Sequence, residues 1–317
     1  MATRAGRGAD TFQLQAFLPP MASALATSEA TMTLRDGRRI AWSSGGPEDG
    51  IPVFYLHGAI GTTVRRTPAL EALIERLGIR YIALSRPGFG LSDPCPGRRT
   101  ADFPADVERV ADRLRLGRFA VVGVSAGGPY AIACARALPD RAVTTAAVSS
   151  LSPVCAPHAG DWMPVHLRLG LRALVRRPDL AARGGARAMR IVERRPRAVA
   201  RLARAGATPA DRQLLAAAEG GTAAIESFLA AAAGGVRGMI DDYLTVCSAW
   251  GFDLGDVAGE VHVWHGEQDR FVPVEHARAL AAALPRCTAT FDARDGHFFF
   301  RRRLAEVLGA LVARLRV

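Results

Sequence analysis

A serine flanked by glycines is the feature of this chain best suited to chemistry. The pattern is Gly123-x-Ser125-x-Gly127; four apolar residues lead into it, and a helix-like stretch over residues 131–138 follows. Strand, sharp turn and helix are the setting of an activated serine nucleophile, because the turn strains the serine backbone and the glycines remove colliding Cβ atoms. The hydroxyl would then project beyond the carboxyl end of a sheet. A non-catalytic glycine-rich turn between strand and helix would show the same three residues.

A serine needs a base to take its proton and an acid to orient that base, and two later loops offer them. Asp269 lies just past an apolar strand predicted over residues 261–264, and His297 follows another over residues 287–292. Each therefore falls at the carboxyl end of a predicted strand. Asp269 could instead cap the helix that begins near Pro273, and a lone histidine is often only a surface residue.

These residues occur in the order Ser125, then Asp269 144 residues later, then His297 a further 28 residues on. From about residue 31 to the C-terminus the sequence resembles the α/β-hydrolase fold superfamily, whose catalytic residues follow this order. Five segments at predicted strand ends carry the resemblance: His57-Gly58, SRPGFGLS at residues 85–92, GVSAGG at 123–128, HGEQDRFVP at 265–273 and Gly296-His297. The superfamily usually has aspartate where this chain has Ser85, at a position whose role is usually structural.

The resemblance implies a complete site for acyl transfer. Ser125 would be the nucleophile, His297 the base and then the acid, and Asp269 the residue that orients His297. The backbone N–H groups of Ala59 and Ala126 would hold the oxyanion of the tetrahedral intermediate. The resemblance implies no metal and no organic cofactor.

We expect a serine hydrolase that cleaves a small carboxylic ester or a related acyl substrate through an acyl-enzyme intermediate. The same fold also supports carbon–carbon bond hydrolysis, lactone opening, aminopeptidase activity and cofactor-free haloperoxidase or perhydrolase activity, and these alternatives stay open. Epoxide hydrolysis and dehalogenation are disfavoured, because they usually employ an aspartate in place of Ser125. His57 is expected to shape the turn after its strand rather than to act as a base. A non-catalytic protein that binds a small ligand is the alternative of another class.

Apolar strands alternate with helical stretches along most of the chain, which predicts an α/β fold with a doubly wound, mostly parallel sheet. Alternation around Asp36-Gly37 predicts a hairpin over residues 31–42. Further strands are expected at residues 53–56, 81–84, 120–124, 144–148, 261–264 and 289–291, and helices at 68–77, 105–114, 126–138, 274–283 and 304–315. Ligands of such sheets bind beyond the carboxyl ends of the strands, where the serine, aspartate and histidine fall.

The alternation stops between about residues 153 and 250, where the chain is rich in alanine and arginine and shows only helical patterns. Helices are expected there at residues 165–175, 181–192, 197–203, 209–218, 223–232 and 236–248. We therefore predict a core of residues 31–152 and 251–317, a helical cap inserted at 153–250 and a disordered tail at 1–30. Met21 could be the true start, since structured sequence begins near Thr31.

The strongly basic charge could suggest nucleic acid or an acidic membrane as a partner. The formal net charge is +11, and all 41 basic residues are arginine. No zinc-finger, RNP or helix-turn-helix pattern accompanies the charge, so we expect a solvated basic surface and a small-molecule substrate. Within the cap, residues 166–204 carry twelve arginines against Asp179 and Glu193. That face could favour an acidic substrate, although a solvated helical face is the simpler interpretation.

The cysteines and the apolar segments indicate a cytoplasmic protein. There are five cysteines, widely spaced and with no C-x-x-C pair, which indicates reduced thiols rather than a zinc or redox site. Residues 1–30 lack the continuous apolar stretch of a signal peptide. The long uncharged run of residues 119–135 is interrupted by Ser125 and its glycines and predicts a strand, a turn and a helix rather than a membrane span.

Overall fold

The computed structural model describes residues 25–26, 29–59, 61, 65–154, 162, 165–217, 222–232 and 235–316. The strands are β1 Leu25–Ala26, β2 Ala30–Thr33, β3 Arg39–Gly45, β4 Ile51–Leu56, β5 Arg65–Arg66, β6 Ile79–Ser85, β7 Phe119–Val124, β8 Ala142–Val148, β9 Glu260–Gly266 and β10 Cys287–Asp292. The helices that flank them are α1 Pro68–Leu77, α2 Pro104–Arg113, α3 Gly128–Ala137, α10 Val274–Ala283 and α11 Phe300–Leu315. Helices α4 Val165–Arg176, α5 Pro178–Arg194, α6 Pro196–Gly206, α7 Pro209–Ala217, α8 Thr222–Ala231 and α9 Val236–Cys247 form a helical insertion between β8 and β9.

Eight strands form one mostly parallel sheet, as the alternation of strands and helices predicts. Their order is β10-β9-β8-β7-β4-β6-β3-β2. The five neighbouring pairs from β10 to β6 are parallel, and β3 pairs antiparallel with both β6 and β2. The predicted hairpin joins β2 to β3, with Gly37 at a φ of +85° in its turn. The carboxyl ends of β7, β9 and β10 therefore lie at one edge of the sheet.

Both faces of the sheet are covered by helices, which explains why its central strands are almost continuously apolar. Successive residues of β4 point to opposite sides: Phe54 packs in a cluster with α2 and α3, whereas Val53 packs in a cluster with α1 and α11. Both side chains are fully buried. This two-sided packing holds the strand ends in place, and with them the loops that carry the site.

Local signals explain why α1 occupies the expected residues. Thr67 accepts a hydrogen bond from the backbone N–H of Leu70 at 3.1 Å, Pro68 begins the helix, and Gly78 ends it at a φ of +62°. A side-chain cap, a proline in the first turn and a left-handed glycine are the usual boundaries of a helix. Two other helices differ from expectation: α3 begins after a 3₁₀ turn over Ser125–Gly127, and α11 begins four residues early, at Phe300.

Helices α4 to α9 lie in the range for which helices are expected, and no strand occurs among the described residues of 153–250. The start of the chain differs from the prediction of a disordered tail over 1–30. Strand β1 pairs with β5, and Ser85 Oγ donates a hydrogen bond of 2.6 Å to the Glu29 carboxylate. Residues 1–24 lie outside the described part.

The structure also bears on the cysteines and on the long uncharged run. Four cysteines, at positions 95, 134, 247 and 287, are free thiols, and Cys155 lies outside the described residues. Within the described ranges, every helix is too short or too polar to cross a membrane.

Candidate active site

Ser125 occupies the turn between β7 and α3, with a left-handed backbone at a φ of +54°. A Cβ on Gly127 would lie 2.2 Å from the carbonyl oxygen of Leu56, and one on Gly123 would lie 2.3 Å from the carbonyl oxygen of Gly127. A larger residue at position 127 would therefore push the turn away from β4, and one at position 123 would push the turn away from β7. The two glycines are needed for space, as the pattern indicates, and the non-glycine residue between them carries the strain.

The turn after β4 lies directly against the serine. A Cβ on Gly58 would be 3.4 Å from Ser125 Cβ and 4.0 Å from Ser125 Oγ. Ala59 follows Gly58 in this turn, and Ala126 follows the serine and is buried. Both residues predicted to hold an oxyanion thus stand in the two backbone segments beside Ser125; their role in catalysis stays a prediction.

Asp269 and His297 form a buried pair beyond the ends of β9 and β10. His297 Nδ1 lies 2.6 Å from Asp269 Oδ2, and the Asp269 side chain is fully buried. The other carboxylate oxygen, Oδ1, accepts the backbone N–H groups of Phe271 and Val272, each at 2.8 Å. With Nδ1–H donated to the carboxylate, the lone pair of a neutral imidazole is on Nε2, which is the arrangement of a general base.

The alternative role of Asp269, as the cap of the following helix, is not what the structure shows. Helix α10 begins after Pro273 and has no side-chain cap. Asp269 instead binds N–H groups two and three residues ahead of itself, before the helix starts. These bonds fix the carboxylate and leave Oδ2 to the histidine.

A second histidine, His265, lies behind Asp269. Its Nε2 is 3.4 Å from Asp269 Oδ2 and donates to the Val272 carbonyl oxygen at 2.8 Å. Burial lowers the pKa of His265, although the charge of Asp269 acts in the opposite direction. His265 therefore remains neutral near pH 7 and supports the loop without competing for the proton of His297.

His57 has the structural role that was expected of it. It is buried; Nε2 accepts the backbone N–H of Arg86 at 3.3 Å, and Nδ1 lies 2.8 Å from the carbonyl oxygen of Gly58. Burial, with the charge of Arg86, lowers the pKa of His57 to about 3. Both ring nitrogens are occupied, so His57 holds the turn beside the serine.

Ser125 and His297 lie at the same sheet edge, with β8 and β9 between the strands that precede them. Ser149, which follows β8, donates from Oγ to the His297 carbonyl oxygen at 3.0 Å. The hydrogen bonds of the described residues do not include one from Ser125 Oγ to the His297 ring. In proteins without substrate this bond is commonly open and closes in the substrate complex.

Two sets of contacts at the site could not be inferred from the sequence pattern. Asp211, in α7, accepts the backbone N–H of His297 at 3.0 Å. Asp242, in α9, is buried with Arg86, Arg98 and Tyr130 beneath the loop that follows β6. The only sequence signal was the spacing Thr208-x-x-Asp211, which is typical of a helix start but says nothing of a distant partner. Within the described ranges, no cluster of His, Cys, Asp or Glu could hold a metal ion.

Comparisons with known proteins bear on the fold family of this chain. Residues 51–301 match the family model described as the alpha/beta hydrolase fold. A proline iminopeptidase of Neisseria gonorrhoeae is 31% identical over 106 residues, which are 32% of this chain and 34% of that protein. A non-heme chloroperoxidase of Streptomyces lividans is 34% identical over 126 residues, which are 39% of this chain and 45% of that protein. The chain thus spans less than half the length of either relative.

A solved structure resembles nearly the whole chain. The esterase EaEST from Exiguobacterium antarcticum superposes with a TM-score of 0.63 and 17% sequence identity, over 90% of this chain and 100% of that one. At this identity the likeness concerns the fold alone.

Proposed function

Because the chain belongs to the α/β hydrolase fold family, we propose that it is a serine hydrolase that cleaves a small carboxylic ester or related acyl substrate. The observation that carries the proposal is the 2.6 Å contact between His297 Nδ1 and Asp269 Oδ2. The His297–Asp269 pair lies at the same sheet edge as Ser125, whose backbone is strained at a φ of +54°. A base oriented by a buried acid, beside a serine on a strained turn, is the constellation used for acyl transfer.

The proposed reaction has two halves. Ser125 Oγ attacks the substrate carbonyl carbon while His297 Nε2 takes its proton, and the same proton then passes to the departing alcohol oxygen. Water attacks the resulting acyl-enzyme with His297 again as base, and the acid is released. Asp269 stabilises the imidazolium formed in each half. The N–H groups of Ala59 and Ala126 are proposed to hold the oxyanion.

Labelling with a fluorophosphonate probe tests the nucleophile. Wild-type protein should be labelled and Ser125→Ala should not, while Ser248→Ala, which removes an exposed serine hydroxyl on the helical insertion, should be labelled like wild type. A series of p-nitrophenyl esters of increasing acyl length would then measure how long an acyl group the site accepts. An unlabelled wild type would refute the proposal and favour a non-catalytic small-ligand-binding protein.

An aminopeptidase is the second candidate, because a segment of the chain is 31% identical to a proline iminopeptidase. The same serine, histidine and aspartate would then attack an amide instead of an ester. Proline p-nitroanilide and p-nitrophenyl acetate, compared at equal enzyme concentration, distinguish the two. A larger kcat/KM for the anilide would make peptides the preferred substrates.

The proposal also covers the compartment and the partners of the protein. We place the activity in the cytoplasm, where free thiols are usual, and assign it no nucleic-acid or membrane partner. The basic charge makes this testable: a gel shift with duplex DNA or RNA at low salt would contradict it.

A further inference from the structure

Asp211 lies in α7 of the helical insertion, 86 residues before His297, yet its buried carboxylate binds the loop of that histidine. Oδ2 accepts the backbone N–H of His297 at 3.0 Å, and Oδ1 accepts the backbone N–H of Phe298 at 2.8 Å. Thr208 Oγ1 also donates to Oδ2 at 3.0 Å. Both oxygens are thus used, and two of their three partners belong to the histidine loop.

Gly296 provides the space that this contact needs. A Cβ at position 296 would lie 2.3 Å from Asp211 Oδ2 and 2.5 Å from Asp211 Cγ. Gly296 is not among the residues with positive φ, so its backbone does not require a glycine. Its missing side chain therefore admits the carboxylate of the insertion.

The arrangement at the start of α7 directs the carboxylate outward. Thr208 caps the helix, since its Oγ1 accepts the backbone N–H of Asp211 at 3.2 Å. In a capping box, the acidic residue at this position would return to the N–H of the cap residue. Here the Asp211 carboxylate turns to the histidine loop, while the partial positive charge of the helix start still stabilises it.

The core holds the other side of the same residue. Ser149 Oγ donates to the His297 carbonyl oxygen at 3.0 Å, and Asp269 binds the ring at 2.6 Å. The peptide N–H of His297 is therefore held by the insertion, and its carbonyl and ring are held by the core. The position of the ring depends on both.

We propose that Asp211 is a positioning residue for His297. The orientation of the base then depends on the packing of α7 against the core. The inference rests on the proposed function, in which His297 is the base. When α7 packs against the core, Asp211 binds the N–H groups of His297 and Phe298, and the imidazole ring keeps its orientation at the sheet edge. When α7 lifts, the loop loses these bonds and the base loses its alignment.

Asp211→Asn tests this with little change in volume, because an amide offers one acceptor where the carboxylate offers two. We expect kcat for p-nitrophenyl acetate to fall about 10²-fold, the scale of a base misplaced by about 1 Å, with KM nearly unchanged. The far-downfield proton resonance of the His297–Asp269 hydrogen bond should weaken, a readout that does not require turnover. Asp179→Asn is the matched control, since Asp179 is an exposed carboxylate of the insertion that pairs with Arg237; it should alter neither.

Gly296→Ala is the second variant, and it keeps α7 and Asp211 intact while its Cβ displaces the carboxylate. It should reproduce the loss of kcat and of the resonance. If Asp211→Asn does not fold, Gly296→Ala still decides the question, together with Thr208→Val, which removes the third hydrogen bond of the carboxylate and the side-chain cap of α7. Wild-type values of kcat and a wild-type resonance in folded Asp211→Asn and Gly296→Ala proteins would overturn the inference. A fall in kcat accompanied by an equally large change in KM would also overturn it. A wild type that resists the fluorophosphonate would refute the proposed function instead, and the resonance would still test the hydrogen bond.

Discussion

Gly88, in the loop after β6, and Gly238, in α9, meet backbone to backbone. A Cβ on Gly238 would lie 2.6 Å from Gly88 Cα, and a Cβ on Gly88 would lie 2.6 Å from Gly238 Cα. One turn further along α9, Asp242 reaches Arg86 in the same loop at 2.8 Å. The helical insertion is thus joined to the core by a close backbone contact and a buried ion pair.

Replacing Gly238 by alanine should loosen this contact. The added Cβ would force α9 away from the loop, and we expect the free energy of unfolding to fall by about 1–3 kcal/mol. Gly184→Ala, in α5, is the matched control, because nothing lies within 4 Å of its added Cβ; alanine there should stabilise the helix by up to about 1 kcal/mol. Urea denaturation measures both. Equal stability of the two variants would show that the close contact is not maintained in solution.

The buried ion pair predicts a large effect of Asp242→Asn. The carboxylate binds Arg86 at 2.8 Å and Arg98 at 2.7 Å and accepts the Tyr130 hydroxyl at 2.9 Å. Loss of its charge leaves two buried guanidinium groups without a counter-charge, which should cost about 3–5 kcal/mol of unfolding free energy. Calorimetry at pH 7 checks this value, and a loss below 1 kcal/mol would contradict it.

The same carboxylate predicts a difference in acid stability. Burial raises the pKa of Asp242, but the charges of Arg86 and Arg98 outweigh burial and hold that pKa below its ordinary value of 3.8. The stabilisation is therefore complete above about pH 4 and is lost as the pH falls through the lower, folded-state pKa. The difference in unfolding free energy between wild type and Asp242→Asn should shrink below pH 4. A difference that stays constant down to pH 2 would exclude this linkage.

Three buried histidines predict a separate loss of stability at mildly acidic pH. Burial lowers the pKa of His57 to about 3 and that of His276 to about 4, and it also lowers the pKa of His265. The unfolded chain binds these protons near pH 6.5, so stability is full above that pH and falls between about pH 6.5 and 4. Each proton contributes a slope of up to about 1.4 kcal/mol per pH unit. Urea denaturation from pH 7.5 to 4.5 measures the slope, and His276→Gln should reduce it by one proton; an unchanged slope would refute the assignment.

Asp269→Asn tests the acid of the site. An amide can present N–H rather than an acceptor to His297 Nδ1, which would favour the wrong tautomer of the ring. We expect kcat for p-nitrophenyl acetate to fall on the order of 10³- to 10⁴-fold. Glu267→Gln is the control, because Glu267 is a carboxylate two residues away that pairs with Arg278. Comparable activity of the two variants would remove Asp269 from the mechanism.

Much of the fold follows from short-range patterns. The strand and helix positions, the two glycines around Ser125 and the loops of Asp269 and His297 could all be predicted, because each depends on residues close in the chain. Periodicity and turn chemistry act over a few residues. The catalytic roles of these residues stay a prediction until they are measured.

The position of Ser85 shows where that approach stops. The family resemblance leads one to expect an aspartate there, and the structure brings the Glu29 carboxylate to the serine hydroxyl at 2.6 Å. A Cβ on Gly90 would lie 3.1 Å from both the Glu29 carboxylate and Ser85 Oγ. An acidic group therefore reaches this loop from 56 residues earlier in the chain, which no local pattern indicates.

The amino-acid pattern alone predicts the α/β fold, the order of serine, aspartate and histidine, and the place of each at a strand end. The acidic groups that hold these parts together become evident only in the folded chain: Asp211 binds the His297 loop 86 residues away, and Asp242 binds Arg86 156 residues away. An amphipathic helix specifies which of its faces is buried but not which residues that face contacts. A buried carboxylate is satisfied by whichever donors the packed chain brings within about 3 Å.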